Sequence, residues 1–422
     1  MKCESQIIST NYEHYRSQAE MPLELIDRLQ QCAREFGDTY ASYLATQSDR
    51  EYFWASGRCG VVAFLRLGRY VNVADGLLAE PADCERLLAE FLAFAEQNNW
   101  VVSFLNVPRN EINMYRRHGC QVTKCGEEAL VQLDRSDWQG KDSQWLRRQE
   151  NYCKRRGVEV CEVNPDSTDP AYRDEVIPQL EEISRDHIST TLHRREMQFY
   201  VSHFSAHKLN GRRLFVAREG ARIIAFIVCN PGLDGDFWAV EVYRRRKDAV
   251  RGVIPFVIMY AMRLMKAEGV RYFSLSLAPF LRCNAIIDDS PVFRFVANSW
   301  WRYLNPIYDA QGIYHFKSRF RPDYREMYLA AKPGVTIRSL LVIAYIWKLF
   351  HFNPLRLLKR SMHRRRTTKH HSLAVPEQRS KRVIRRLRQK QDRNDAMASQ
   401  LPVTPVYKQE NAKIHSHEDI SL

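Results

Sequence analysis

Between Asp236 and Phe280 the hydrophobic period changes twice, and this constrains the fold more tightly than any other stretch of the sequence. Phe237–Val242 alternates as a strand does, with Phe237, Ala239 and Glu241 on one side and Trp238, Val240 and Val242 on the other. Glu241 is a lone carboxylate on an otherwise apolar strand. The basic run Arg244-Arg245-Arg246-Lys247 follows as a turn. From Gly252 the pattern is helical: Val253, Phe256, Val257, Tyr260 and Leu264 fall on one face. Pro255 fits a first turn, where an N–H has no intrahelical partner, and Gly269 fits the left-handed stop after the last turn. Arg271–Leu277 alternates again and ends, past Ser276, in Ala278-Pro279. Strand, basic turn, helix, strand is an α/β unit, and the acid, the cationic turn and the polar strand end within it mark a site.

The rest of the chain reads as α/β with a mixed sheet. Pro22–Phe36 has helical spacing, Tyr52–Trp54 and Val61–Leu67 read as strands, and Pro81–Asn98 as a helix. Val101–Val107 is a strand before Pro108, Ile112–His118 a short helix stopped by Gly119, and Glu128–Leu133 a strand. Asp142–Arg156 is a basic helix with Trp145, Gln149 and Tyr152 on one face, a solvated connector or a phosphate-binding helix. Helices over Asp174–His187 and Arg195–Leu209 follow, then strands Arg213–Ala217 and Arg222–Cys229. Ser290–Leu304 reads as an aromatic-rich helix. In Tyr314–Arg325, Lys317 and Arg319 alternate with aromatics, as on an edge strand, and Met327–Ala330 is a strand. Each half holds a strand pair, a helix and a strand ending near a proline, a weak internal repeat. The expected organisation is a flexible 1–21, a first unit over 22–165 that includes the basic helix 142–157, and a second, site-bearing unit over 166–332. An amphipathic segment, 333–360, and a basic tail, 361–422, complete it.

Charge is uneven. Leu355–Asp395 carries 15 Lys/Arg against 3 Asp/Glu, which is +12 of the chain's +15. Such a tail favours anionic polymers or anionic lipid, or merely solubilises. Within Pro333–Phe352 the run Leu340–Phe350 is too short to span a bilayer; an interfacial helix or a last core helix are the two readings. The ten cysteines form no CxxC pair and no Cys/His cluster at zinc spacing, so a metal site is not expected and buried, reduced thiols are. The first residues lack the apolar core of a signal peptide.

Three stretches bear a family likeness. Gly119–Leu133 contains Gly126-Glu127-Glu128-Ala129; Asp142–Gly157 contains Leu146-Arg147-Arg148 and Asn151; and Tyr314-His315-Phe316-Lys317-Ser318-Arg319-Phe320 is followed by Pro322 and Tyr328. Together, over about Arg34–Ala330, they resemble the cytosolic catalytic domain of bacterial phosphatidylglycerol lysyl- and alanyltransferases, the multiple peptide resistance factor family. Glu241-Val242-Tyr243-Arg244 stands where that family has Asp-Leu-Met-Arg, and Leu275–Phe280 where it has Leu-Gly-x-Ala-Pro-Leu. The resemblance implies tandem acetyltransferase-like (GNAT) folds, to which the sequence itself adds a helical, basic C-terminal tail. It also implies transfer of an amino acid from aminoacyl-tRNA to a lipid hydroxyl, at the inner face of the cell membrane.

That exchange of one ester for another asks for positioning and charge stabilisation. Glu241 would hold the aminoacyl ammonium or act as base; otherwise it is an ion-pair partner for Arg244 or Arg319. Lys317 and Arg319 would face one cleft and contact phosphate or oxyanion, and Ser276 would donate a hydrogen bond. Arg244 would bind a phosphate or the terminal adenosine, Glu196 matches a family acid, and Arg147 and Arg148 are placed for lipid or tRNA phosphates. Glu241, Lys317 and Ser276 are thus the catalytic candidates. The expected partners are aminoacyl-tRNA as co-substrate and anionic phospholipid. No acetyl-CoA is expected, because Arg244–Val253 lacks the glycine-rich pyrophosphate cradle. Two rival readings remain: a GNAT-type acyltransferase acting on a non-lipid amine or peptide, and a non-catalytic protein binding tRNA or anionic membrane.

Overall fold

The computed structural model describes residues 12–346 except 75, 168, 191–203, 210, 284–288 and 305–308. In chain order the strands and α-helices are β1 (Glu13–Tyr15), α1 (Leu23–Glu35), β2 (Glu51–Trp54), β3 (Gly60–Leu67), β4 (Tyr70–Val73), β5 (Leu78–Ala79), α2 (Cys84–Gln97), β6 (Val101–Pro108), α3 (Ile112–Arg117), β7 (Gln121–Gln132) and α4 (Gln144–Arg155). Then come β8 (Val158–Val163), α5 (Ile177–Thr190), β9 (Arg213–Glu219), β10 (Arg222–Gly232), β11 (Phe237–Arg245), α6 (Val253–Ala267), β12 (Tyr272–Pro279), α7 (Pro291–Ser299), α8 (Ala310–Ser318), β13 (Asp323–Lys332) and α9 (Ile337–Ile346). The tail, most of the expected helix over Arg195–Leu209, and Glu196 lie outside the described residues.

The strands join in one mixed sheet of order β1-β2-β3-β4-β6-β13-β7-β12-β11-β10-β9-β8, with β5 on β3. Its inner strands are apolar on both faces because helices cover both; Ile223–Cys229 of β10 is wholly buried. The two halves interlock. β13, the last strand, enters between β6 and β7 and pairs antiparallel with both. β7 in turn pairs with β12. The sheet therefore has no seam at the expected division near residue 165.

The repeat is closer than its sequence suggests. In the first half β4 runs parallel to β6, joined through α2, and the last register pair is Val73↔Phe104. In the second, β11 runs parallel to β12, joined through α6, and the last pair is Ala239↔Ser274. Beyond that pair each second strand bulges against its other neighbour, β6 at Leu105-Asn106 and β12 at Leu275-Ser276. The second bulge residue is left-handed in both, with φ 60° at Asn106 and 67° at Ser276. Its side chain donates to a carbonyl just past the paired stretch, Asn106 Nδ2 to Ala74 O at 3.1 Å and Ser276 Oγ to Val240 O. Each half therefore has a parallel pair that ends in a stapled fork, the arrangement of an acetyltransferase-like fold repeated in tandem.

Helix α6 is buried more completely than its five-residue stripe implies, because α4 covers the side turned away from the sheet; Val253–Met259 is buried throughout. Gly252 has φ 88°, a conformation that favours glycine, and a Cβ there would press on the Gln149 side chain of α4. Gly269, φ 90°, ends the helix as expected. The edge-strand setting expected for Lys317 is corrected, although Asp323–Arg325 does begin β13. Asp309 caps the helix that holds Lys317, its Oδ1 accepting from Gly312 N at 3.1 Å, and α8 runs to Ser318. At the end of the described chain α9 buries Ser339 and Ile343 and turns Ile337, Leu341 and Tyr345 outward. It is thus packed on one face and apolar on the other.

Candidate active site

The second fork gathers three of the sequence candidates, Glu241, Ser276 and Lys317. On β11, Glu241 is the extra residue of a further bulge, since Val228↔Val242 and Cys229↔Val240 leave it unopposed. A bulged residue shares a face with its neighbour, which turns Glu241 away from the α4–α6 side. Its side chain is 2% exposed, and Oε2 accepts from Arg212 Nη1 at 3.1 Å. Arg212 also lies over the Tyr43 ring, 5.5 Å from its centroid. The ion-pair partner is thus Arg212, and not Arg244 or Arg319.

On the other arm stands Lys317. Helical spacing turns Phe316, Lys317 and Phe320 inward while His315 and Arg319 remain exposed. Phe316 meets Tyr243 of β11 with ring centroids 6.0 Å apart, which brings α8 beside both strands of the fork. Lys317 is only 5% exposed, and its Nζ donates to the Leu277 carbonyl at 2.7 Å, just past the β12 bulge. Burial pushes its ammonium down to about 7, and the Glu128 carboxylate opposes that shift without cancelling it. A lysine so placed exchanges a proton near neutral pH.

The other sequence candidates divide. Ser276 staples the fork through its hydroxyl, as described. Arg244 is buried against the Ser184 hydroxyl of α5, with its guanidinium 4.9 Å from the Phe204 ring centroid. Arg319 does not share the Lys317 face: it bonds His315 Nε2 at 2.9 Å and lies 5.5 Å from the Trp145 ring centroid on α4. Arg147 donates to the carbonyls of Trp138 and Gly140 at 2.8 and 2.6 Å, holding that loop. Arg148 instead lines an open groove with Trp145, Tyr152, Arg155 and Arg251. Among the described residues no carboxylate pairs with Arg148, Arg155 or Arg251, whereas Arg213, Arg263 and Arg325 are all paired.

Sequence reasoning assigned no role to Glu128, although it quoted the stretch that contains it. Glu128 lies on β7 with no exposed surface, bonded to Tyr40, Ser274 and Arg325. Arg325 also reaches Asp38 Oδ2 at 3.2 Å. On the far side of Leu277 an apolar slot opens between α7 and α9, lined by Leu105, Leu277, Phe280, Val296, Leu340 and Ile343 among others. Phe295 of α7 and Ile337 of α9 are 73% and 65% exposed. No helix among the described residues is long and apolar enough to cross a membrane, and these residues contain no cluster of side chains suited to a metal ion.

Known proteins share this architecture. The chain is 24% identical to the phosphatidylglycerol lysyltransferase of Bacillus subtilis over 321 residues, 76% of this chain and 36% of that protein. It is 22% identical over 305 residues to the phosphatidylglycerol lysyltransferase of Staphylococcus aureus, 72% of this chain and 35% of that one. The chain thus spans about a third of the length of the curated relatives it matches. Among solved structures, L-PGS from Bacillus licheniformis superposes with a TM-score of 0.63 at 21% identity, covering 78% of this chain and 97% of that one. A family profile described as phosphatidylglycerol lysyltransferase, C-terminal, matches residues 31–331. With the profile spanning most of the chain, including both forks, this protein belongs to the phosphatidylglycerol lysyltransferase C-terminal family.

Proposed function

We propose that the chain transfers an aminoacyl group from aminoacyl-tRNA to the hydroxyl of an anionic phospholipid, of the phosphatidylglycerol type named for its relatives. The observation that carries this reading is the buried Lys317 amine in the second fork, poised to exchange a proton near pH 7. The acceptor hydroxyl oxygen attacks the ester carbonyl carbon while Lys317 takes the hydroxyl proton. The carbon–oxygen bond to the tRNA ribose then breaks, and Lys317 returns the proton to the leaving ribose oxygen. Glu241, held by Arg212, anchors the aminoacyl ammonium. Ser276 keeps the fork in shape.

The unpaired arginines of the α4 groove suit tRNA phosphates, and Trp145 and Tyr152 beside them offer stacking faces. Arg319, bridging from α8 to Trp145, links that groove to the Lys317 helix. The apolar slot beyond Leu277 and the outward face of α9 suit acyl chains and a peripheral position on the inner face of a membrane. No acetyl-CoA takes part in this reading: Gln149 is packed on Gly252, where a pyrophosphate cradle would open α6. We read 22–165 and 166–332 as the two acetyltransferase-like units, the second bearing the site.

The test supplies purified protein with labelled aminoacyl-tRNAs and phosphatidylglycerol vesicles, then extracts lipid and identifies any aminoacylated product by mass spectrometry. Lys317→Ala and Glu241→Ala should each lower the rate by about 100-fold or more. Full activity in either variant would remove that residue from the mechanism. No labelled lipid from any aminoacyl-tRNA would reject the reaction.

A further inference from the structure

We propose that Glu128 is a positioning residue for Lys317, acting through the β12 bulge and through its own buried charge. The inference rests on the transfer reaction proposed above and adds a control element to it. Glu128 stands directly across from Leu277, the first residue to regain register after the bulge. Its Oε1 accepts from Ser274 Oγ at 2.6 Å and from Tyr40 N at 3.1 Å. Its Oε2 accepts from Arg325 Nη2 at 2.6 Å and Nε at 3.1 Å. Ser274 Oγ, oriented by that carboxylate, accepts from Ser276 N at 3.0 Å. A continuous chain of bonds thus runs from Glu128 through Ser274 to the strained Ser276. The next residue is Leu277, whose carbonyl holds Lys317 Nζ.

The same bonds compensate the buried Glu128 carboxylate for its lost solvation. A guanidinium, a hydroxyl and a backbone N–H replace the water it has lost. The charge then acts on Lys317 across the strand. The charged groups on elements packed about this side of α8 are few. β7 brings Glu128, β13 brings Arg325 with Asp38 behind it, and β11 brings Glu241, paired with Arg212, and the Tyr243 phenol. α8 itself adds His315 and Arg319, both exposed. Of these, Glu128 is the negative charge that holds the Lys317 proton against desolvation.

A purely structural Glu128–Arg325 pair would change the amount of folded protein but not the Lys317 titration. The two roles separate in two variants. Glu128→Gln keeps the shape and removes the charge; the midpoint of the pH–rate profile should fall by about one pH unit. Ser274→Ala keeps the charge and cuts the bond to the bulge; kcat should fall about tenfold with the midpoint and the KM for lipid in place. The titration is also read without any transfer, from the ¹³Cε resonance of labelled Lys317 against pH, assigned by its loss in Lys317→Arg. A fall of that midpoint in Glu128→Gln supports the proposal even if the wild-type protein transfers nothing. An unmoved midpoint in folded Glu128→Gln overturns the electrostatic part, and full kcat in Ser274→Ala overturns the geometric part. Should Glu128→Gln not fold, Glu128→Asp, which keeps the charge and shortens the reach, takes its place. It should lower kcat with the midpoint held, and an unchanged kcat overturns the proposal.

Discussion

The two forks are built alike and filled differently. Both end a parallel strand pair in a bulge, both put a polar residue at positive φ, and both staple that residue to the same relative carbonyl. In the first fork the Tyr40 hydroxyl donates to Asn106 Oδ1 at 2.9 Å, and Tyr40 packs with Ala74 and Leu105. That fork is closed by the chain's own neutral side chains. In the second, a lysine enters from α8 and meets a carbonyl and a buried carboxylate's field. Shared geometry therefore does not make a site. The difference lies in what the fork receives: a phenol that satisfies it, or an amine that burial leaves close to losing its proton.

The largest effect that would break this contrast is on stability. Lys317 titrates near 7 when folded and near ~10.4 when unfolded. Between those values the unfolded chain binds the extra proton, so wild-type stability rises with pH across that window. Lys317→Met should stabilise the protein by about 1–4 kcal/mol at pH 7 and below, with the gain fading as pH approaches ~10. Urea unfolding at several pH values measures it, and a pH-independent difference would show that the amine is not held near neutrality. The next effect compares the staples. Ser276→Ala and Asn106→Ala should each lose about 1–3 kcal/mol, but only the first should slow transfer per folded molecule; equal slowing would make both forks functional. The smallest concerns the closed fork alone. Tyr40→Phe should cost about 1 kcal/mol and leave transfer unchanged, because the Glu128 contact uses the Tyr40 backbone.

The β11–α6–β12 unit was legible because its periods are long and its stops, Gly252 and Gly269, have a conformational cause. The short β4 was not seen, although it forms one arm of the first fork, since Tyr70–Val73 is too brief for a period. β7 was found only from Glu128 onward. Its earlier part carries Lys124 and Glu127, buried charges that bond each other at 2.6 Å and interrupt the apolar pattern of a core strand. Lys317 was chosen for its family likeness, but its setting was misread. Alternating aromatics imitate a strand, and the deciding cue, a capping Asp309, is a single residue. The role of Glu128 had no local signal, because its partner Arg325 is 197 residues away.

The insertion of β13 between β6 and β7 bears on the order in which the protein can be made. A ribosome delivers both of those strands long before their shared neighbour, so the middle of the sheet waits for nearly the last strand described. Until β13 is made, the edges of β6 and β7 that it covers lack that partner. The same strand brings Arg325, the ion-pair partner of Glu128. The carboxylate across from Leu277 thus gains its guanidinium partner only with the strand that closes the sheet.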